Sequence, residues 1–465
     1  TCRNKFAKAG NEKIAKYNIE TVLLRFKSRI EIEMCLYYLY YLHENKLKKT
    51  FLQMARRKRH TARRRSHKER NMTSTRFTHA ALAALSSVVA GHAVSVDDEL
   101  EHFSHNPAQA ARFTDVSGLR TRRKADDDVT ASDMCAQAAR ALLRQTDTPL
   151  SDIGAVFFVS HSADYLLPAS AAILQHRLGL PRHCVAMDMN AGCAGFINAL
   201  WMAASLVESR ACKKVLVLAG DTPGRFQPAA NRVVGPIFGD AGTAALVAYS
   251  ESPSPMSFAF GTDGSKHEAL VIPGGGSRIP QNASEGADSP FNQTVRDDKG
   301  NPWTLGGQSA IWMDPMGIYT FSTSVVPPHI KEHLQHEGLE PQSVDRLFLH
   351  QANKIIVDSI AKKVGIRKEN VPTESLSLYG NLGVASVPVL VCAHYANKAS
   401  TPVAHGHANT MLCSFGAGLS WGSAILPLDK TVVLPVCDYI KEEKTASRSE
   451  RIAYWHKKFS GHTPK

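Results

Sequence analysis

The chain carries one order of landmarks twice, and this repetition restricts its fold more than any other feature. Pro149, Ser160 and Cys193 in the first half answer to Pro341, His350 and Asn381 in the second, at offsets of 192, 190 and 188 residues. In the first half, Pro149 leads into the apolar run Ala155-Val-Phe-Phe-Val159, a helix is expected over Ala169 to Leu178, and a strand-length run from Cys184 to Met189 precedes Cys193. In the second, a helix from Ser322 to His336 precedes Pro341, and the strand Arg346-Leu-Phe-Leu349 ends at His350. A helix follows over Asn353 to Val364, with Val357, Ile360, Ala361 and Val364 on one face. Around these, strands are expected within Ala80 to Val94, Lys214 to Leu218, Ile237 to Tyr249, Val371 to Ser377 and Thr410 to Ser414. Helices are expected over Asp97 to Phe103, Ala131 to Leu143 and Val384 to Ala396, and Arg120 to Lys124 reads as a basic loop. A repeat this long is no solenoid. Strands alternating with helices imply an α/β fold, with mostly parallel sheets covered by helices.

Charge separates the chain into a body and an arm. Residues 1–71 hold 20 Lys and Arg against 6 Asp and Glu, a net of +14; the remaining 35 and 36 leave a net of −1. The formal +13 therefore belongs to the N-terminal extension, with its runs Arg56-Arg-Lys-Arg59 and Arg63-Arg-Arg65, and the body is neutral. The extension reads as disordered or as sequence upstream of a start at Met72; a phosphate-binding arm is the competing reading. Expected boundaries are 1–71 for this extension, 72–252 and 253–427 for the two halves, and 428–465 for a C-terminal tail. Nine cysteines with no C-x-x-C pair and no His/Cys ligand spacing point away from structural zinc and a disulfide framework. That usage suits a reducing, cytoplasmic setting. No run of 18 apolar residues suggests a membrane span.

The chemistry-bearing stretch is Met187-Asp-Met-Asn-Ala-Gly-Cys-Ala-Gly-Phe-Ile-Asn198. After it, Phe196, Ala199, Leu200, Ala203, Leu206 and Val207 recur at helical spacing, so Cys193 occupies a tight strand-to-helix turn. A thiol there meets free N–H groups and the positive end of the helix dipole, which favour thiolate. A buried structural cysteine is the competing reading. His350 directly follows a strand and Asn381 lies in Gly-Asn-Leu-Gly. Alone, the first reads equally as a capping His and the second as a turn Asn. In a duplicated α/β fold, however, ligands bind at the carboxyl ends of strands, and all three residues occupy such ends.

These motifs, Ala-Gly-Cys-Ala-Gly-Phe at 191–196, Phe-Gly-Asp-Ala-Gly at 238–242, His-Gln-Ala-Asn at 350–353, Tyr-Gly-Asn at 379–381 and Ser-Phe-Gly-Ala-Gly-Leu-Ser-Trp-Gly at 414–422, resemble those of β-ketoacyl-acyl-carrier-protein synthase III over about 80–427. The resemblance implies a thiolase-like fold, with two duplicated α/β halves packed as α-β-α-β-α layers. It implies Cys193 as the acyl-accepting nucleophile, His350 and Asn381 as the decarboxylation pair, and the backbone N–H groups of Cys193 and Ala417 as the oxyanion hole. The reaction so implied is acyl transfer to Cys193, then decarboxylative Claisen condensation with a malonyl-type thioester, in fatty acid or polyketide and secondary-metabolite assembly. No metal or redox cofactor is called for. The implied partners are an acyl-carrier protein and acyl or malonyl thioesters. A homodimer is implied too, with Asp164 to Pro168 near the contact; neither a membrane nor nucleic acid is.

Departures from the family bear on the substrate. Gly118-Leu-Arg120 retains the family's Gly-Ile-Arg site, so Arg120 is a substrate-binding candidate, yet Arg112 and Val116 stand where housekeeping members carry the residues that seat CoA. A carrier-protein-borne acyl donor gains weight. Leu166 and Leu167 are candidates for the acyl pocket. Lys362 and Lys363 match the carrier-protein contact, although Ile355 replaces a family Arg there. The polar segment 274–310 reads as a lid or a solvated insertion. Competing functions are acyl transfer to an oxygen or nitrogen nucleophile without decarboxylation, and a non-catalytic subunit, against which the intact Cys-His-Asn set argues.

Overall fold

The computed structural model describes residues 73–460, apart from 104, 227–233, 281–293, 297–301, 305–306, 308, 396–407 and 442–445. The expectations for the basic extension 1–71 lie outside the described residues, as does most of the interior of the lid candidate 274–310.

Eleven strands build two sheets. In chain order they are β1 (Thr73–Phe77), β2 (Ala80–Val89), β3 (Ile153–Val159), β4 (Val185–Met189), β5 (Lys214–Asp221), β6 (Ala241–Tyr249), β7 (Met256–Thr262), β8 (Arg346–Leu349), β9 (Thr410–Gly416), β10 (Ser420–Leu426) and β11 (Val432–Asp438). The first sheet has the order β11-β2-β6-β5-β3-β4 and the second β1-β7-β10-β9-β8. β5, β3 and β4 run parallel, as do β8 and β9, while β6, β7 and β10 pair antiparallel with their neighbours. The helices used below are α1 (Ala131–Gln145), α2 (Ser170–Arg177), α3 (Gly195–Glu208), α4 (Pro315–Ser324), α5 (Val326–His336), α6 (Lys354–Val364), α7 (Ser386–Tyr395) and α8 (Arg448–Ser460).

Alternation along β3 explains the layers. Phe157 and Val159 face a core shared with α3 (Phe196, Leu200) and α7 (Val387, Leu390), which also packs against Phe258 and Leu412 of the second sheet. Val156 and Phe158 face the opposite side, against α1 (Met134, Leu142) and Leu174 of α2. A strand covered on both faces is apolar throughout, as Ile153–Val159 is. The two central helices are thus buried between sheets, and α1 and α2 close the first sheet from outside. The fold is thiolase-like, α-β-α-β-α, as the motif resemblance implied.

Several local expectations are corrected. The run 80–94 is broken at Gly91: β2 ends at Val89, and His92–Ser95 pairs instead with Thr121–Lys124, so the supposed basic loop is one strand of a small two-stranded antiparallel sheet. The helix 322–336 is two helices meeting at Val325, because Pro327 and Pro328 cannot donate backbone hydrogen bonds. Val371 to Ser377, expected to be a strand, contains the start of a short helix, Glu374–Tyr379; the Glu374 carboxylate accepts from Thr373 N–H at 2.9 Å and Gly380 ends the turn at φ 80°. Residues beyond 428 include β11, which pairs with β2 as the sixth strand of the first sheet, and helix α8. The halves also interpenetrate, since β1 lies beside β7 in the second sheet.

Candidate active site

Cys193 lies in the single turn Gly192–Ala194 that joins β4 to α3, and it is buried at 7% exposure. Gly192 takes φ 67°, a left-handed conformation that glycine adopts without strain. The turn packs under the β9–β10 connection: a methyl group on Gly416 would stand 2.7 Å from Cys193 Sγ. The N–H groups of Ala417 and of Cys193 itself both act on the sulfur in favour of its anion. They are outweighed. Burial, aided by the Asp221 carboxylate, pushes the thiol up to about 12, so the helix N-terminus does not by itself yield the thiolate expected from the sequence.

His350 follows β8, anchored by its N–H to Cys413 O at 2.9 Å. Its ring meets Phe415 edge-on, with centroids 5.4 Å apart. Burial pulls its pKa down to about 4, against a smaller opposing pull from Asp221, so the ring is neutral at pH 7. Nδ1 is buried with no hydrogen-bond partner.

Asn381 is held by the Phe-Gly-Asp motif of the first half. Its N–H donates to Ile237 O at 3.0 Å and its carbonyl accepts from Gly239 N–H at 2.9 Å. Gly239 is needed for this approach, because a Cβ there would fall 2.1 Å from Tyr379 O. The side-chain Oδ1 accepts from Gly383 N–H at 3.1 Å, leaving the amide NH₂ as the donating end.

A fourth residue links the three. Asp221, at the end of β5 and 2% exposed, accepts from Val384 N–H at 3.0 Å, His161 N–H at 2.7 Å and Ser160 Oγ at 3.2 Å. It acts electrostatically on both Cys193 and His350, and Val384 lies three residues from Asn381. Burial opposes its charge, but His161 and these N–H donors hold its carboxyl below the usual range. Neither Asp221 nor His161 was singled out from the sequence. Asp221 ends β5 and His161 lies two residues beyond β3, both at carboxyl ends of strands, where ligands bind in such folds; Asn381, expected at such an end, follows the helix Glu374–Tyr379 instead.

A cavity of about 910 Å³ opens onto Cys193, Ala417 and Gly383, with His161, Leu166 and Asp221 also in its wall. His350 and Asn381, both nearly fully buried, are not among the lining residues. Gly274, Gly275, Gly276 and Ser309, the described ends of the lid candidate, reach the cavity too. Leu166 lines it while 91% exposed, whereas Leu167, 87% exposed, and Arg120, also exposed, are not among the lining residues. Lys362 is exposed on α6; Lys363 is tied inward, donating from Nζ to Thr323 O of α4 at 2.7 Å.

Fold and cysteine turn together define a thiolase-like acyltransferase, and comparison with known proteins places it further. Residues 187–264 match the family model 3-oxoacyl-[acyl-carrier-protein] synthase III, and residues 334–428 match that of its C-terminal part. A putative 3-oxoacyl-[acyl-carrier-protein] synthase 3 of Campylobacter jejuni is 31% identical over 370 residues, covering 79% of this chain and 99% of its own. The crystal structure of a 3-oxoacyl-(acyl-carrier protein) synthase from Burkholderia xenovorans superposes with a TM-score of 0.71 at 30% identity, over 79% of this chain and 99% of that one. A priming β-ketosynthase from the R1128 polyketide pathway superposes at 0.64 with 25% identity, over 76% and 98%. The chain belongs to the 3-oxoacyl-acyl-carrier-protein synthase III family of condensing enzymes.

Proposed function

We propose that Cys193 accepts an acyl group from a thioester, with the Cys193 and Ala417 N–H groups holding the tetrahedral oxyanion. A malonyl-type thioester then loses CO₂, and its enolate attacks the acyl-cysteine to give a β-keto thioester. Decarboxylation develops negative charge on the thioester oxygen, so the step calls for hydrogen-bond donors rather than a base. A neutral imidazole at His350 and the NH₂ of Asn381 supply them. The observation that carries this reading is the buried Cys193 beneath two backbone donors at the floor of a 910 Å³ cavity.

The departures at Arg112 and Val116 favour an acyl donor borne on a carrier protein, and Lys362 is an exposed cation on α6 that such an acidic protein would meet. Self-association fits the surface. Among the described residues β4 is the outermost strand of the first sheet, and Val185 and Met187 on it are 56% and 37% exposed. An exposed apolar edge strand is a template for a second copy. Among the described residues no helix is long and apolar enough to cross a membrane; the cysteine usage of the chain is what suits a reducing, cytoplasmic setting.

Mass spectrometry of the protein after exposure to a panel of acyl-CoA and acyl-carrier-protein thioesters tests the first half-reaction. An acyl adduct on Cys193, followed by CO₂ release on addition of malonyl-carrier protein, is the expected result. An adduct discharged to alcohols or amines without CO₂ release would instead assign the non-decarboxylating transfer.

A further inference from the structure

The condensation described above uses donors and leaves one proton without an owner. Cys193 rests as a thiol, since burial and Asp221 outweigh its two N–H donors. The sulfur must lose that proton before it can attack a thioester. His350 is a poor acceptor: it is nearly fully buried, and among the described residues its Nδ1 has no hydrogen-bond partner to orient the ring.

His161 differs on each point. It follows β3 at the carboxyl end of the strand, and its side chain is 31% exposed, in the wall of the cavity that holds Cys193. It is the only imidazole among the described residues lining that cavity. Nδ1 stands 3.3 Å from Asp221 Oδ2, and the His161 backbone N–H reaches the other carboxylate oxygen at 2.7 Å. An ionised carboxylate only accepts, so Nδ1 carries the hydrogen and the lone pair is left on Nε2. Asp221 is itself fixed by Ser160 and Val384, so the ring is held from a rigid base. Burial disfavours the imidazolium, but Asp221 more than offsets this and raises the pKa of His161 above its ordinary value, which makes Nε2 a stronger base than that of His350.

We propose that His161, oriented by Asp221, takes the proton of the Cys193 thiol during acylation and returns it to the departing thiol. This rests on Cys193 being the acylated residue. The thiol proton passes to Nε2 as the sulfur forms its bond to the thioester carbon. The tetrahedral intermediate then collapses by breaking the bond to the donor sulfur, and the imidazolium protonates that thiolate. The sum is an exchange of one thioester for another, with no net change in protons. His161 is a catalytic residue of the first half-reaction only, and Asp221 is its positioning residue. The two histidines thereby divide the work, one as base for acylation and the other as donor for decarboxylation.

The test separates the half-reactions. His161→Asn keeps a nitrogen near the Nδ1 position, and so the bond to Asp221, but removes Nε2; His161→Gln serves as a second variant should the first not fold. Acylation of Cys193 by acetyl-, butyryl- and octanoyl-N-acetylcysteamine is followed by intact mass. CO₂ release from malonyl-carrier protein is then measured on protein loaded to completion by long incubation. The expected result is acylation slowed about a hundredfold, within the range for lost general base catalysis, with CO₂ release from the loaded protein within about threefold of wild type, a margin that would exclude loss of such a contribution. Acylation at the wild-type rate overturns the proposal, and so does an equal loss in both half-reactions. Wild-type protein that takes no acyl group on Cys193 from any of the three overturns the underlying reading as well.

Discussion

The side-chain oxygen of Asn381 accepts the backbone N–H of Gly383 at 3.1 Å, and this contact decides which end of the amide is free to act. With Oδ1 committed, only the NH₂ can address a substrate. Asn381→Asp keeps an acceptor for Gly383 but removes the donor and adds a negative charge where an enolate must form. Loss of one oxyanion donor costs about 10²–10³ in rate. Asn381→Ala should lower CO₂ release from malonyl-carrier protein by about that factor and Asn381→Asp by at least as much, while the mass shift of Cys193 acylation persists in both.

Gly416 sets the space above the nucleophile. A methyl group there would lie 2.7 Å from both Cys193 Cβ and Sγ, with Cys193 N 3.6 Å away. The turn must move or the sulfur must rotate away from the two N–H groups. Overpacking of this kind costs about 1–3 kcal/mol, so Gly416→Ala should still fold, with a lowered melting temperature. Its acylation rate, read by mass spectrometry, should fall at least tenfold, because the displaced sulfur no longer shares its oxyanion donors.

Three buried imidazoles make the fold sensitive to mild acid. Burial pulls His329 down to about 4, His333 to about 3 and His350 to about 4. His329 and His333 converge on Ser423 Oγ at 2.8 and 2.7 Å, and His333 also meets Ser257 at 2.9 Å. Each is neutral in the fold and becomes protonated in the unfolded chain below about 6.5. Their stabilisation is therefore complete above about pH 6.5 and is lost as pH falls towards 4. Asp240, raised by burial to about 6, Asp164, raised by burial, and His161, whose burial is outweighed by Asp221, act with the opposite sign and reduce the net fall. Thermal melts should fall between pH 7.5 and pH 5, by the equivalent of a few kcal/mol, and the fall should be smaller in His333→Gln.

The free edge of β4 predicts the oligomeric state. Val185 and Met187 are exposed on that edge, and a lysine on an edge strand opposes strand addition. Light scattering should give a dimer for the wild type. Met187→Lys should shift it towards monomer at micromolar concentration, with the far-ultraviolet spectrum retained. A wild-type monomer at all concentrations would remove β4 as an interface.

The duplicated order of strands and helices was legible in the chain because periodicity is local: a strand packed on both faces, such as Ile153–Val159, must be apolar throughout, whatever lies far away. Cys193 and His350 were legible because each follows a strand-length run, whereas Asn381 follows the helix Glu374–Tyr379 and was legible through its motif alone. The short helix Glu374–Tyr379 and β11 were not. A stretch as short as Val371 to Ser377 suits either state, and β11 is a strand because the backbone of β2 offers it an edge. The roles within the site depended on distance contacts above all. From the sequence a thiol at a helix N-terminus promises a thiolate, and only the fold shows burial and the Asp221 carboxylate reversing that promise. Asp221 and His161 lie 60 residues apart, and nothing local couples them. Their pairing exists because β3 and β5 are neighbours in the sheet, so the strand order, fixed by packing across the whole body, decides which side chains share a charge.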